Sequence, residues 1–501
     1  MGSSEPAARP RQNQVLLGTF VHSKTPQELD YMHNAAVAVD AHGTIVGIER
    51  DADDVKTAKE KLLASLGWSE RDVHVCATKD GQFFFPGFID THVHAPQYAN
   101  VGIFGKSSLL DWLEKYTFPL ESSLKDLDRA RRVYTACVRR TLSHGTTTAA
   151  YYATIDVAAT NLLSKLCLSL GQRAFIGRVC MDRDGICPDY YKDESPEQSL
   201  KATLESIAYI KEIDPAHDIV SPILTPRFAP ACTSETMRSL SKLQRELDLP
   251  VQTHISENTD EVKLVGELFP ESTSYADVYD KHGLLTARTI LAHAVHITDA
   301  EANLIVARGS KIAHCPCSNS SLTSGEARVR WMWDRGIEVG LGTDMSGGYS
   351  PSILEAARHA TLASRHLAMD TADRKERERV KITVDEALFL ATRGGAKVVG
   401  LEDKIGGFDV GKRWDAQLVG LGVVQPNGVR DGEAAHSSNG ANGHHHHDDN
   451  NGHGAGHGDA GNVDVFGWEK WEDRVAKWVY NGDDRNTKKV WVNGKLVHSR
   501  L

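Results

Sequence analysis

Pro86-Gly87-Phe88-Ile89-Asp90-Thr91-His92-Val93-His94 is an apolar run that closes on two imidazoles two positions apart. Side chains at i and i+2 of a strand point to the same side, so an extended reading lets both rings reach one ion. The run Phe84 to His92 is the first of eight such runs. The others are Thr146 to Tyr152, Arg173 to Met181, Ile219 to Thr225, Val251 to Ile255, Thr289 to Ala294, Lys311 to Cys315 and Ile337 to Gly342, separated by longer stretches of helical composition. A strand followed by a helix, eight times over, predicts an α/β fold of the (β/α)8 TIM-barrel type, whose parallel strands are buried on both faces and read as unbroken apolar runs.

Such a barrel carries its chemistry at the C-terminal ends of its strands, and the polar residues there converge. The first run supplies His92 and His94, the fifth supplies His254 with Glu257 three residues on, the sixth ends in His293 and the eighth in Asp344. Imidazoles with one carboxylate suit a borderline ion such as Zn2+, with Fe2+ also fitting, and a position left for water would make the site catalytic. A lone His-x-His is unremarkable, but four strands ending in the right residue type are not. The cluster His314-Cys315-Pro316-Cys317 competes for the same ion, yet it has no second pair, and its cysteines read as buried apolar positions. The His-x-Glu and Pro-Cys-x-x-Cys pattern of the cytidine-type zinc deaminases is missing from the chain.

Outside the eight runs the chain is β-rich at both ends. Val15 to Val21, Ala35 to Val46, Ala416 to Val423 and Val490 to Val497 read as strands, with turns at Asp40 to Gly43 and at Asn493-Gly494. The expected organisation is residues 83–404 as barrel, and residues 1–82 with 405–501 as a small β-sandwich domain built from both ends. Residues 425–461 are rich in Gly, Asn, His and Asp, hold seven histidines and almost nothing apolar, and are expected to be a disordered insertion. Those histidines are a third of the 23 in the chain, so most of the apparent histidine excess lies outside the barrel strand ends.

Composition narrows the partners. The net charge of −10, from 57 basic and 67 acidic residues, offers no basic surface for nucleic acid or an anionic membrane. Eight scattered cysteines suit a reduced compartment. A polar N-terminus, with Pro6 where a myristoylation signal wants Ser or Thr, predicts a cytoplasmic protein, while Ser499-Arg500-Leu501 is a relative of the Ser-Lys-Leu peroxisomal address.

The metal-ligand strand Pro86 to His94 resembles that of the amidohydrolase superfamily. The likeness extends through Thr383-Val384-Asp385-Glu386-Ala387-Leu388, Gly394-Gly395-Ala396 and Asp415-Ala416, and covers nearly the whole chain. His94-Ala95-Pro96-Gln97-Tyr98, Pro226-Arg227-Phe228, His254-Ile255-Ser256-Glu257 and Gly340-Leu341-Gly342-Thr343-Asp344 are similar to the guanine deaminase branch. The resemblance implies one zinc per subunit on His92, His94, His254 and Asp344, Glu257 as proton shuttle, His293 orienting the attacking water, and Asp344 as a second base. It also implies a homodimer, and a guanine held by Gln97, Arg227 and Phe228 and hydrolysed to xanthine and ammonia. The bland alternative puts Arg227 in an ion pair and Phe228 in the core. Relatives with two metals carry a lysine at the end of the fourth strand, where this chain has Leu224-Thr225-Pro226-Arg227, and Cys317 stands where relatives have a small hydroxyl residue. Three rival readings accompany this one: an aminohydrolase for oxidised guanine, a pterin, an adenosine-like nucleoside or a triazine; a non-catalytic scaffold; and a metal-storage role for the His-rich insertion.

Overall fold

The computed structural model describes residues 12–426 and 461–500. Nearly all of the His-rich insertion, the Gly2 to Pro6 stretch and Leu501 of the C-terminal tripeptide lie outside them. Eight parallel strand segments form the centre. One four-stranded sheet runs Val220–Pro222, Arg173–Gly177, Thr146–Tyr152, Phe88–His94, and a second runs Val251–Ile255, Thr289–His293, Lys311–His314, Val339–Leu341. The two sheets meet at both edges. Leu224 bridges to Val251 in parallel, and on the other side the Asp344 amide donates to the His92 carbonyl at 2.9 Å.

All seven residues of Thr146–Tyr152 are buried, as a strand covered on both faces demands. Helices return the chain between strands, many of them fixed at the N-terminus by a side-chain cap: Asp156, Ser195, Thr233 and Thr298 each accept from a backbone amide of the first turn. Among the described residues no helix is long and apolar enough to cross a membrane.

The first apolar run is not one strand. Gln82–Pro86 pairs antiparallel with Ala416–Gly420, while Phe88–His94 pairs with Thr146–Tyr152. Gly87 makes the division, because a Cβ there would lie 2.1 Å from the Thr147 hydroxyl, and Pro86 has no amide to continue a ladder. Apolar content alone could not show the break.

The chain ends combine in one mixed sheet, in the order Lys495–Ser499, Thr487–Val492, Ala416–Gly420, Gln82–Pro86, Asn13–Thr25, Glu28–Val39, Ile45–Glu49, with Val73–Ala77 beside Asn13–Thr25. Its hydrogen bonding is continuous rather than split between two sheets, and its far ends touch. Trp414 donates its amide to Gly43 and accepts from Gly494, so the turn after Val39 meets the turn after Val492. Phe20, Phe84, Trp414 and Trp491 fill the resulting interior. Asn493 and Gly494 both have positive φ, 49° and 74°, the conformation that an Asn-Gly hairpin turn supplies. A salt bridge from Arg173 to Asp415, 3.0 Å, ties this sheet to the third central strand.

Candidate metal centre and active site

His92 and His94 stand on the same face of Phe88–His94, as the spacing of two requires. Asp90 fixes that strand against the eighth: its carboxylate accepts from the Thr343 amide at 3.0 Å and the Thr343 hydroxyl at 2.5 Å. Burial pushes the Asp90 carboxyl up to about 7 despite those donors. Four non-glycine residues at strand ends around the site adopt left-handed backbone: Ser256 (φ 48°), His293 (74°), Ala294 (51°) and Asp344 (45°). Such conformations cost of order 1–3 kcal/mol each and cluster where side chains must be aimed.

The rings converge. His94 Nε2 lies 3.3 Å from His92 Nε2 and from His254 Nε2, and 3.2 Å from Asp344 Oδ1, which is itself 3.2 Å from His92 Nε2. His92, His254, His293 and Asp344 each offer a ligand atom within 4.8 Å of the others. A cation between imidazole nitrogens this close in a buried site would satisfy all of their lone pairs at once. The near-equilateral triangle of His92, His94 and Asp344 atoms can be capped by an ion about 2 Å from each corner, the usual Zn–N and Zn–O length. His254 Nδ1 donates to the Arg227 carbonyl at 2.6 Å, which leaves Nε2 as a lone pair facing the others. The donor set and geometry therefore fit one divalent ion, and among the described residues the end of the fourth strand adds no lysine.

His293 donates Nδ1–H to Asn319 Oδ1 at 2.9 Å, which turns Nε2 toward Glu257 Oε2 at 3.5 Å and Asp344 Oδ2 at 3.7 Å. Burial, with Asp344 and Glu261 nearby, raises the Glu257 carboxyl well above the usual range, and Ser324 donates to its Oε1 at 3.3 Å. Burial lowers His92 to about 3 and holds His254 well below its ordinary value, with neighbouring rings adding to the effect. Asp344 is also buried, but the hydrogen bonds of His92 and His94 keep its carboxyl well below the usual range. A carboxylate held ionised beside the His92 and His254 rings, which burial disfavours as cations, suits a metal ligand set, and a raised carboxyl such as that of Glu257 suits a proton carrier.

A pocket opens over this centre, lined by His254, Glu257 and Asp344 together with Gln97, Arg227 and Phe228. Leu109, Trp112 and Leu113 roof it. Arg227 does form the ion pair of the bland alternative, with Glu121 at 2.6 Å, and it also lines the pocket. Every residue singled out in the sequence for metal or substrate is brought to this pocket or its floor.

Several others were not foreseen. Tyr152 packs its ring 4.5–5.0 Å from the His92, His94 and His254 rings. Asn319, Ser324, Glu121 and Tyr191 also lie behind the first layer of side chains. Glu121 left a faint signal, as a lone acid in Phe118-Pro119-Leu120-Glu121.

Cys315 and Cys317 are buried, and burial raises both thiols, as inert apolar positions require.

Residues 83–497 match the Amidohydrolase family. The chain belongs to this family. The family implies a (β/α)8 barrel, in keeping with the parallel α/β centre described above. Relatives within it are close. A probable guanine deaminase of Schizosaccharomyces pombe is 47% identical over 483 residues, 96% of this chain and 83% of that protein. The guanine deaminase of Homo sapiens is 37% identical over 491 residues, 98% of each chain. Among solved structures, a guanine deaminase from C. acetobutylicum with guanine bound in the active site superimposes with a TM-score of 0.79 at 30% identity, over 97% of this chain and all of that one.

Proposed function

We propose that this chain is a guanine deaminase, which hydrolyses guanine to xanthine and ammonia, on a closed (β/α)8 barrel that runs to residue 404 and begins after Gly87 rather than at residue 83, since Gln82–Pro86 belongs to the end sheet. The small β domain is drawn, among the described residues, from 12–86 and 405–500. The observation that carries this reading is that Gln97, Arg227 and Phe228 line the same pocket as Glu257, His254 and Asp344. Full-length relatives that carry that name support it.

His92, His94, His254 and Asp344 would hold one Zn2+, with Fe2+ meeting the same ligands. A bound Zn2+ supplies Lewis acidity, the chemistry that brings the ionisation of water from about 15.7 to about 7. Glu257 takes the proton of the attacking water and delivers it to a ring nitrogen of guanine beside the carbon that bears the exocyclic amine. His293, aimed by Asn319, donates or accepts at the attacking oxygen, and Asp344 is the second base. Arg227 and Gln97 offer fixed donors and an acceptor to the polar edge of the ring, and Phe228 packs on its face. Asp344 takes the second proton, from the added hydroxyl, and passes it to the exocyclic amine, so the C–N bond breaks and ammonia leaves as the carbonyl forms.

Assay of the metal-loaded protein against guanine, oxidised guanine, a pterin, adenosine and a triazine tests this directly. Ammonia release fastest from guanine is expected; a better substrate among the others overturns it. Glu257→Gln should keep its metal while kcat falls by about 10²–10⁴, and wild-type turnover in that variant would remove the shuttle. A homodimer is the proposed assembly, read from its mass by light scattering. The proposed compartment is the cytoplasm, and a reporter fused to Ser499-Arg500-Leu501 separates that from peroxisomal delivery.

A further inference from the structure

Behind the pocket wall lies a buried carboxylate with every lone pair engaged. Glu121 Oε1 accepts from Gln97 Nε2 at 2.9 Å and from Arg227 Nη2 at 3.1 Å, and Oε2 accepts from Arg227 Nη1 at 2.6 Å and Tyr191 Oη at 2.8 Å. All four residues are at most 3% exposed. Burial would raise the Glu121 carboxyl, but the Arg227 guanidinium more than offsets it and holds the group below the usual range. With four donors Glu121 has no capacity left for a ligand, and it does not line the pocket.

Stability does not explain this cluster. A buried ion pair recovers little more than its own desolvation, and an apolar replacement is often as stable. What the cluster does fix is orientation. Gln97 Oε1 accepts from the Ser346 amide at 3.2 Å while its Nε2 faces Glu121, so the carboxylate decides which end of the amide is donor and which acceptor. Arg227 is held by one face of helix Phe118–Ser123, by the Glu121 carboxylate and by the Phe118 ring 5.0 Å from its guanidinium carbon. That helix continues without a break from the turns that carry Leu109, Trp112 and Leu113, so the roof of the pocket and the anchor of Arg227 are one helical run.

We propose that Glu121 is the positioning residue of the base-reading pair: it locks the Gln97 amide and the Arg227 fork in place and cancels the Arg227 charge, so the pocket prefers an uncharged purine to its ionised product. This rests on the guanine reading above. Xanthine is the more acidic of the two bases, and an unneutralised guanidinium in a dry pocket would hold its anion and slow release.

Glu121→Gln in the metal-loaded, full-length protein tests it, because the substitution keeps the shape and removes the charge. Metal content should match wild type. KM for guanine should rise about tenfold or more, with kcat within about threefold. The decisive readout is the ratio of the xanthine inhibition constant to the guanine KM. It should fall about tenfold at alkaline pH, where xanthine is an anion, and stay unchanged in mild acid, where it is neutral. A merely structural loss shifts both ligands together at every pH, so an unchanged ratio with intact metal overturns the proposal.

If Glu121→Gln loses its metal, Tyr191→Phe decides, since it removes one donor to Glu121 and leaves Arg227 untouched. A rise of about threefold in KM with kcat retained supports the anchor, and an unaltered KM overturns it. Failure of the wild type to release ammonia from guanine would instead sink the guanine reading, and the same measurements would then use the heterocycle it does deaminate and that product.

Discussion

The two ends of the pocket are built on opposite principles. At the metal end, His92, His94, His254 and Asp344 come from strands that are far apart in sequence, and each points its ligand atom inward because its strand ends there. At the other end, Gln97 sits in the 3-10 turn Ala95–Asn100 and Arg227 on the segment after Thr225–Pro226, both beyond strand ends, and both side chains bond one carboxylate on a helix. Strand ends, with left-handed backbone at Asp344 and at Ser256 beside His254, bring those side chains to one point. Loops need a buried charge network to hold a long flexible side chain to one geometry.

Substitutions can break that contrast, and the largest effect belongs to the metal end. His254→Ala should lower the metal-to-protein ratio and reduce turnover at least about a thousandfold, since no other ring replaces its Nε2; an unchanged metal ratio would remove it from the ligand set. At the reading end, Arg227→Lys keeps the charge but loses the planar fork to Glu121, so KM for guanine should rise about thirtyfold with metal retained. Equal falls in metal content for both variants would show that the two ends are not separable. The smallest effect is expected from Cys317→Ser, which touches neither end: steady-state activity should stay within about twofold, and a large loss would assign that thiol a part it lacks here.

The metal end was legible in the sequence because period-2 geometry and the strand-end rule turn a linear pattern into a position. His92, His94, His254, His293, Glu257 and Asp344 could all be named from the ends of apolar runs. Gln97, Arg227 and Phe228 were legible only through likeness to a family. Tyr191, Asn319 and Ser324 were not legible at all, and Glu121 only faintly, since each acts through another side chain and stands in a segment whose pattern is dictated by packing. The division of the first run at Gly87 was hidden for a related reason. Strands of the end sheet and of the central sheets are equally apolar, and only the close approach of Thr147 shows where one gives way to the other.

By itself the sequence determined the number and order of the parallel strands, the ligand types at their ends and the acid suited to carry a proton, because those follow from local periodicity and residue chemistry. Tertiary structure alone decided that the candidate ligand atoms of His92, His94, His254 and Asp344 lie 3.2–3.3 Å from their neighbours, that Asn319 and the Arg227 carbonyl set the tautomers of His293 and His254, and that Glu121 bonds both Gln97 and Arg227. Hydrogen-bond geometry and charge compensation act between segments far apart in the chain, and no spacing along it records which of them meet.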